Sequence, residues 1–327
     1  MDYLNRHMPA IRTLFILALI VIPPSLAVGR LLLQPMSASS AQVGRGNTTV
    51  DQRGVSRHLL SGSDWPTYLH DIQRTAASGE TTLSRANAVN IINHWSFKTG
   101  GAITASAIVA GGTAYIGSWD GYEYALDALT GAVKWKTFLG TMTGRTDCNA
   151  PGVGITSSAA IQGGLVYLGS DTYWYALDAN TGAILWKSFI GEQSVHGGHY
   201  TWSSPLIYKG YAYVGVVSEG KCPALPDKLI KVSLSTHRVV ATFRAVLPVQ
   251  TPGIIPVTPS IDPQTNTIYV TAGTPKTSAT SVYSLDAATM ALKDRWQVPA
   301  SESMPSSGFQ STPVDSSATW VTPRACR

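Results

Sequence analysis

Residues 115–135 read YIGSWDGYEYALDALTGAVKW, and residues 167–186 read YLGSDTYWYALDANTGAILW. One such stretch, dense in Asp, Tyr and Trp, would pass for an active-site motif. Two of them change the reading. Trp186 follows Trp135 by 51 residues, and Asp178 follows Asp127 by the same 51, so the chain repeats a structural unit.

The unit is a cycle of short strands. Residues 103–109 carry small side chains and Ser106, and Gly111-Gly112 turns the chain. A second strand over 113–117 leads into Asp120-Gly121, a strong hairpin signal. A third over 122–126 enters the turn 127–131, and a fourth over 132–138 carries Trp135. Five- and six-residue strands between turn signals, with no helical periodicity, specify antiparallel sheet. Residues 91–98 are expected to form a strand ahead of the first unit.

Two further copies share the frame. The third runs through Ser203-Ser204-Pro205, 211–215 and 229–236, without its Trp. The fourth runs through Thr258-Pro259-Ser260, 268–271, Leu285-Asp286-Ala287 and Trp296, which lies 110 residues after Trp186. A fifth begins at Gln310-Ser311-Thr312-Pro313-Val314. Four-stranded units of about fifty residues are the size of propeller blades, which stack face to face because one blade cannot bury both faces. The expected fold is therefore all-β: a β-propeller of four-stranded antiparallel blades, about four whole and a partial fifth.

Composition agrees. Of 327 residues only 13% are charged, while Gly (30), Tyr (14) and Trp (9) are plentiful. The net charge is +5, with many of the arginines before residue 60. No basic cluster interleaved with aromatics follows, which excludes a nucleic-acid footprint. Residues 1–41 read as a cleaved signal peptide or a retained membrane anchor: Arg6 and Arg12 precede an apolar run, and Ser39-Ser40-Ala41 offers a cleavage site. Either form places the remainder outside the cytoplasm, secreted or membrane-anchored, with membrane contact only through this segment. Residues 42–63 read as a flexible linker, with a glycosylation-type triplet at Asn47. Residues 64–315 hold the repeats, opened by Trp65, Tyr68, Asp71, Arg74 and Thr75, and 316–327 form an aberrant tail.

Ala125-Leu126-Asp127-Ala128-Leu129-Thr130-Gly131 with Trp135, and Ala176-Leu177-Asp178-Ala179-Asn180-Thr181-Gly182 with Trp186, resemble the pyrroloquinoline quinone (PQQ) repeat of the quinoprotein alcohol dehydrogenase-like propellers. In that family the motif docks one blade on the next. The third copy departs from it, and the fourth has Met290 for Gly and its Trp two places late. Complete members of the family have seven or eight blades, so the resemblance implies a truncated member. It also implies two alternative functions. One is a binding or scaffold module, as for the outer-membrane assembly lipoprotein of the superfamily, with an unknown protein or small-molecule ligand on the propeller face. The other is a PQQ-dependent alcohol dehydrogenase resembling polyvinyl-alcohol dehydrogenases, with calcium helping to hold PQQ.

Candidate chemistry is sparse. Asp127, Asp178 and Asp286 recur at one blade position, which marks them as turn residues, with Thr130, Gly131, Thr181 and Gly182 completing the turns. Trp135, Trp186 and Trp296 are packing plates. Cys148 and Cys222 lie in loops of consecutive copies and are a candidate disulfide; Cys326 is the odd thiol. His196 and His199 share a Gly-rich loop, but no third metal ligand accompanies them. Residues 144–147 and 218–221 are blade-connecting loops able to line the axial face. No catalytic residues and no PQQ- or calcium-binding set are identifiable.

Overall fold

The computed structural model describes residues 64–81, 83–142, 152–191, 193–194, 197–219, 228–245, 258–274 and 277–297. The expected leader, linker, fifth copy and tail lie outside these residues, as do Cys148, Cys222 and Cys326.

Four antiparallel sheets follow one another along the chain. Blade 1 is β1 (Ile108–Ala110), β2 (Thr113–Gly117), β3 (Tyr122–Asp127) and β4 (Val133–Phe138). Blade 2 is β5 (Ala160–Gln162), β6 (Leu165–Ser170), β7 (Tyr173–Asp178) and β8 (Ile184–Phe189). A short extension, β9 (Gln193–Ser194) and β10 (Gly197–Tyr200), comes next. Blade 3 is β11 (Leu206–Tyr208), β12 (Tyr211–Glu219), β13 (Lys228–Ser233) and β14 (Val239–Phe243), with β10 paired to the far end of β12. Blade 4 is β15 (Ser260–Asp262), β16 (Thr267–Thr274), β17 (Thr277–Asp286) and β18 (Leu292–Gln297). The core lies between blades: the first two blades share one cluster around Tyr115, Trp135, Ile155 and Tyr175, and the last two share another around Tyr213, Leu229, Ile268 and Tyr283.

Each docking turn is built by its own side chains. Asp127 Oδ1 accepts the Leu129 and Thr130 N–H groups and the Thr130 hydroxyl, and Asp178 and Asp286 repeat the pattern. The fifth turn residue is left-handed, at φ 73° for Gly131 and 72° for Gly182. His237 and Met290 hold the same place at 59° and 64°, conformations that cost an L-residue about 1 kcal/mol.

The preceding blade reads this turn. Trp135 Nε1 donates to Ala179 O (3.0 Å), and its ring lies so close to Gly182 that a Cβ there would stand 2.6 Å away. Thr137 donates to Gly182 O, and Tyr115 OH to Ala179 O. The Trp186 ring stacks on the His237 imidazole at 4.3 Å and 11°. In blade 3 the Trp position, opposite Lys231, is Ala241. There Lys231 Nζ takes over the donor role, bonding Ala287 O (2.9 Å) and Ala288 O (2.6 Å), beside Tyr213 OH on Ala287 O.

Two expectations are corrected. Residues 91–98 form no strand beyond a single bridge residue at Phe97. They run as a strap over the open face of blade 1, where Trp95 Nε1 donates to Ala128 O (3.0 Å) and its ring covers Gly131. The inner strand expected over 103–109 shortens to β1, because its first residues bond the neighbouring blade instead: Thr104 Oγ1 donates to Thr156 O and Ser106 N–H to Ser158 Oγ. That link repeats, from Ser158 N–H to Ser204 Oγ and from Ser204 N–H to Thr258 Oγ1.

The opening segment ties the inner edges together. Trp65 pairs with Val109 of blade 1, Pro66 O accepts Ile161 N–H of blade 2, and Ile72 O accepts Ile261 N–H of blade 4. Arg74 donates to Thr67 Oγ1, Tyr68 O and Asp71 O within the segment. It also donates to Pro205 O ahead of β11 and to Pro259 O ahead of β15. Burial lowers its pKa to about 10.

Candidate ligand-binding face

The docking turns occupy one end of the blades. The other end carries the β2–β3 and β6–β7 hairpins and the crossovers between blades. Loops on a rigid sheet scaffold are where propellers place recognition.

Asp120 fixes the β2–β3 hairpin. Its Oδ1 accepts Tyr122 N–H, and its Oδ2 accepts Gly100 N–H (2.8 Å) and Tyr124 OH (2.6 Å). Gly121 completes the turn at φ 84°, and no Cβ fits beside Phe138 and Gly140. The hairpin presents Trp119, whose Nε1 donates to Thr104 Oγ1 (3.1 Å). Thr104 in turn donates to Thr156 O, and Thr156 Oγ1 to Thr201 O (3.2 Å). Trp202 follows Thr201, and Trp119 and Trp202 both pack against buried Met142 and Val153. Two half-buried indoles and a run of threonines thus share one rim across blades 1 to 3.

Several buried polar atoms near this rim make no hydrogen bond among the described residues: both Glu123 oxygens, Trp174 Nε1, Ser157 Oγ, Thr201 Oγ1 and Trp202 Nε1. Glu123 is fully buried between blades 1 and 2, in a space left by Gly117, where a Cβ would meet Ile155 and stand 3.1 Å from Glu123 Oε2. Burial alone pushes its carboxyl up to about 8. Trp174 occupies the matching position of blade 2, opposite Gly169, where a Cβ would meet Thr201.

The motif residues singled out by sequence stand elsewhere. Asp127, Asp178 and Asp286 lie at the docking end, with Lys134 3.6 Å from Asp127 and Lys293 3.8 Å from Asp286. The Thr130 hydroxyl and amide hold the Asp127 pKa below its usual value, and the Thr289 amide and hydroxyl do so for Asp286. A small cavity of about 120 Å³ near Tyr115, Lys134 and Asn180 separates blades 1 and 2 there. Trp296 is exposed, and among the described residues no docking turn follows blade 4 to receive it. His199 lies in β10; His196 and residues 144–147 lie outside the described residues. Among the described residues no three His, Cys, Asp or Glu side chains converge as a metal site.

Comparison with known proteins supplies the family. Residues 66–289 match the family described as outer membrane protein assembly factor BamB, whose repeat is the PQQ type. The chain belongs to this BamB-like PQQ-repeat family. Among curated relatives, a polyvinylalcohol dehydrogenase of Sphingopyxis sp. (strain 113P3) is 23% identical over 320 residues, covering 82% of this chain and 48% of its own length. A polyvinylalcohol dehydrogenase of Pseudomonas sp. is 29% identical over 146 residues, covering 45% of this chain and 22% of its own length. The crystal structure of the quinohemoprotein alcohol dehydrogenase of Comamonas testosteroni superposes with a TM-score of 0.60 at 20% identity, covering 72% of this chain and 41% of that one. The chain spans about half or less of the length of these relatives.

Proposed function

We propose that this PQQ-repeat protein is an exported binding or scaffold propeller that engages its ligand on the rim carrying Trp119 and Trp202. The observation that carries the reading is that rim: two indole plates with a threonine run between them, on loops held by rigid hairpins. Its chemistry suits a ligand with hydroxyl groups and apolar or flat surfaces, since indole faces take C–H and aromatic groups and threonines exchange hydrogen bonds. The carboxylates give the reading further support. Asp120 is committed to its hairpin, the repeated aspartates to their turns, and Glu123 is sealed between blades.

The second reading is a PQQ-dependent alcohol dehydrogenase, favoured by the relatives named polyvinylalcohol dehydrogenase and quinohemoprotein alcohol dehydrogenase. PQQ would supply hydride acceptance. An indole plate at Trp119 or Trp202 fits a flat quinone, but calcium takes six to eight oxygen ligands; at this end Asp120 already accepts three hydrogen bonds, and among the described residues no group of three acidic, His or Cys side chains converges. The described residues by themselves therefore do not assemble a calcium-held quinone site, and no step is derived through one. Export rests on the leader expected at 1–41 and on kinship with a family described by an outer-membrane factor. Among the described residues no helix is long and apolar enough to cross a membrane.

The test is titration of polyvinyl alcohol, and separately of PQQ with calcium, against Trp fluorescence, with dye reduction by simple alcohols in parallel. Binding that is lost in Trp119→Ala, without turnover, is expected. Alcohol-dependent turnover would overturn the binding-only reading, and no response to either probe would remove Trp119 as a recognition plate for them.

A further inference from the structure

In blades 1 to 3 the face turned toward the next blade is closed by it. Tyr115, Tyr167 and Tyr213 hold one register position on the second strand of their blades and are 4%, 5% and 1% exposed. Blade 4 places Tyr269 at the same position, and Tyr269 is 40% exposed. Trp135 is 8% exposed, whereas Trp296 is 56% exposed, and every residue of β18 is open to solvent. Asp294 takes the register position of the docking Trp, and Trp296 stands two residues on, where Thr137 of blade 1 bonds the next turn. Blade 4 thus presents a docking face, with aromatic anchors of the kind that dominate interface energetics, and among the described residues no further blade covers it.

The contacts between blades define the partner this face fits. It takes a turn with an acceptor carbonyl just after its first Asp, as in blades 2 and 4, and a left-handed fifth residue under an aromatic ring, as in blades 2 and 3. One turn in this chain meets that description and has no blade ahead of it among the described residues: Asp127 to Gly131 of blade 1. Its cover is the strap 91–98, a thin one, since Ile92 and nearby Val89 stand almost fully in solvent. Trp95 of that strap occupies the place a neighbouring blade's aromatic residue would take.

We propose that a second copy of this chain docks head to tail, its blade 4 face replacing the strap on blade 1. Tyr269 OH then donates to Ala128 O, as Tyr115 OH does to Ala179 O, and the Trp296 ring takes the position of Trp95 over Gly131. Such an interface uses two different patches. It closes into a ring if the two arcs meet at both ends, and otherwise grows into longer assemblies.

Sedimentation velocity of the full chain across a wide concentration range tests the proposal. Reversible association is expected. It should weaken at least tenfold in the double variant Trp296→Ser with Tyr269→Ser. It should tighten in Asp294→Trp, which restores the motif residue at an exposed position where folding is not at stake. It should tighten also in Trp95→Ser, which frees the receiving turn; a melting curve accompanies that variant, and a mixture of Trp296→Ser and parent chains gives a second readout of the donor face. A monomer at every concentration overturns the proposal. Shielding of Trp296 from a collisional quencher in that monomer would assign the face to the chain's own residues beyond 297. Association that depends on Trp296 but ignores Trp95 also overturns it, in favour of blade 4 against blade 4.

Discussion

Replacing Lys231 by Met removes a donor and keeps an unbranched side chain of similar length. The ammonium makes two short hydrogen bonds to Ala287 O and Ala288 O and lies 4.0 Å from the Tyr211 ring centroid. Bonds from a charged donor contribute about 1.5–3 kcal/mol each, net, and the ring contact ~1 kcal/mol. Against this, burying an ammonium costs several kcal/mol, and Tyr213 OH still holds Ala287 O in the variant. The expected loss is about 2–3 kcal/mol, read as a lower urea midpoint with an unchanged slope. The sharper test is a swap. Lys231→Ala with Ala241→Trp recreates the Ala125–Trp135 and Ala176–Trp186 pairings across the same two strands. The double variant should recover ~2 kcal/mol over Lys231→Ala alone, a coupling that contacting residues show and distant ones do not. A Lys231→Met variant within ~0.5 kcal/mol of the parent, or no recovery in the swap, would refute the idea that Lys231 stands in for the docking Trp.

Glu123 makes stability depend on pH. Its folded pKa, about 8, lies above the ordinary 4.5, so between these values the folded chain holds a proton the unfolded chain has lost, and stability falls as pH rises through that window. Glu123→Gln should match the parent near pH 5 and exceed it by a few kcal/mol at pH 8; parallel urea profiles for the two proteins at both pH values would show that folding does not raise the pKa of this carboxyl. Gly182→Ala should cost about 2–4 kcal/mol, because a Cβ there meets the Trp135 ring, whereas Gly163→Ala, equally left-handed but in open space, should cost about 1 kcal/mol. Equal urea midpoints for these two variants would mean that ring contact does not restrict position 182.

The blade frame was legible because turn chemistry is local. Asp120-Gly121 and the Asp127–Gly131 turn carry their own hydrogen bonds, so the strand over 113–117 could be placed to the residue. Met290 and His237 show how the frame survives substitution: the turn is fixed by backbone bonds such as Met290 N–H to Asp286 O and His237 N–H to Ser233 O. What escaped depends on neighbours far along the chain. Residues 91–98 alternate like a strand, yet Trp95 serves a turn more than thirty residues later. Lys231 looks like an ordinary strand lysine until the missing Trp on β14 leaves two carbonyls of blade 4 within its reach. Glu123 alternates as a surface residue would, and only the approach of blade 2 buries it. The rim of Trp119 and Trp202 was likewise invisible, because the two indoles come from different units and are brought together by Met142, Val153 and the threonines between them.

Arg74 carries one more consequence. Stacked repeats ordinarily touch only their neighbours, so their stability is close to a sum over units and any end can fray by itself. Here a segment that precedes the described blades is clasped by the entries to blades 3 and 4, with Arg74 and Pro259 185 positions apart. Loops of that length are slow to close, so the clasp belongs to the end of folding, after the individual sheets exist. Once closed, it denies each blade the freedom to melt alone, and a row of modules unfolds as one body.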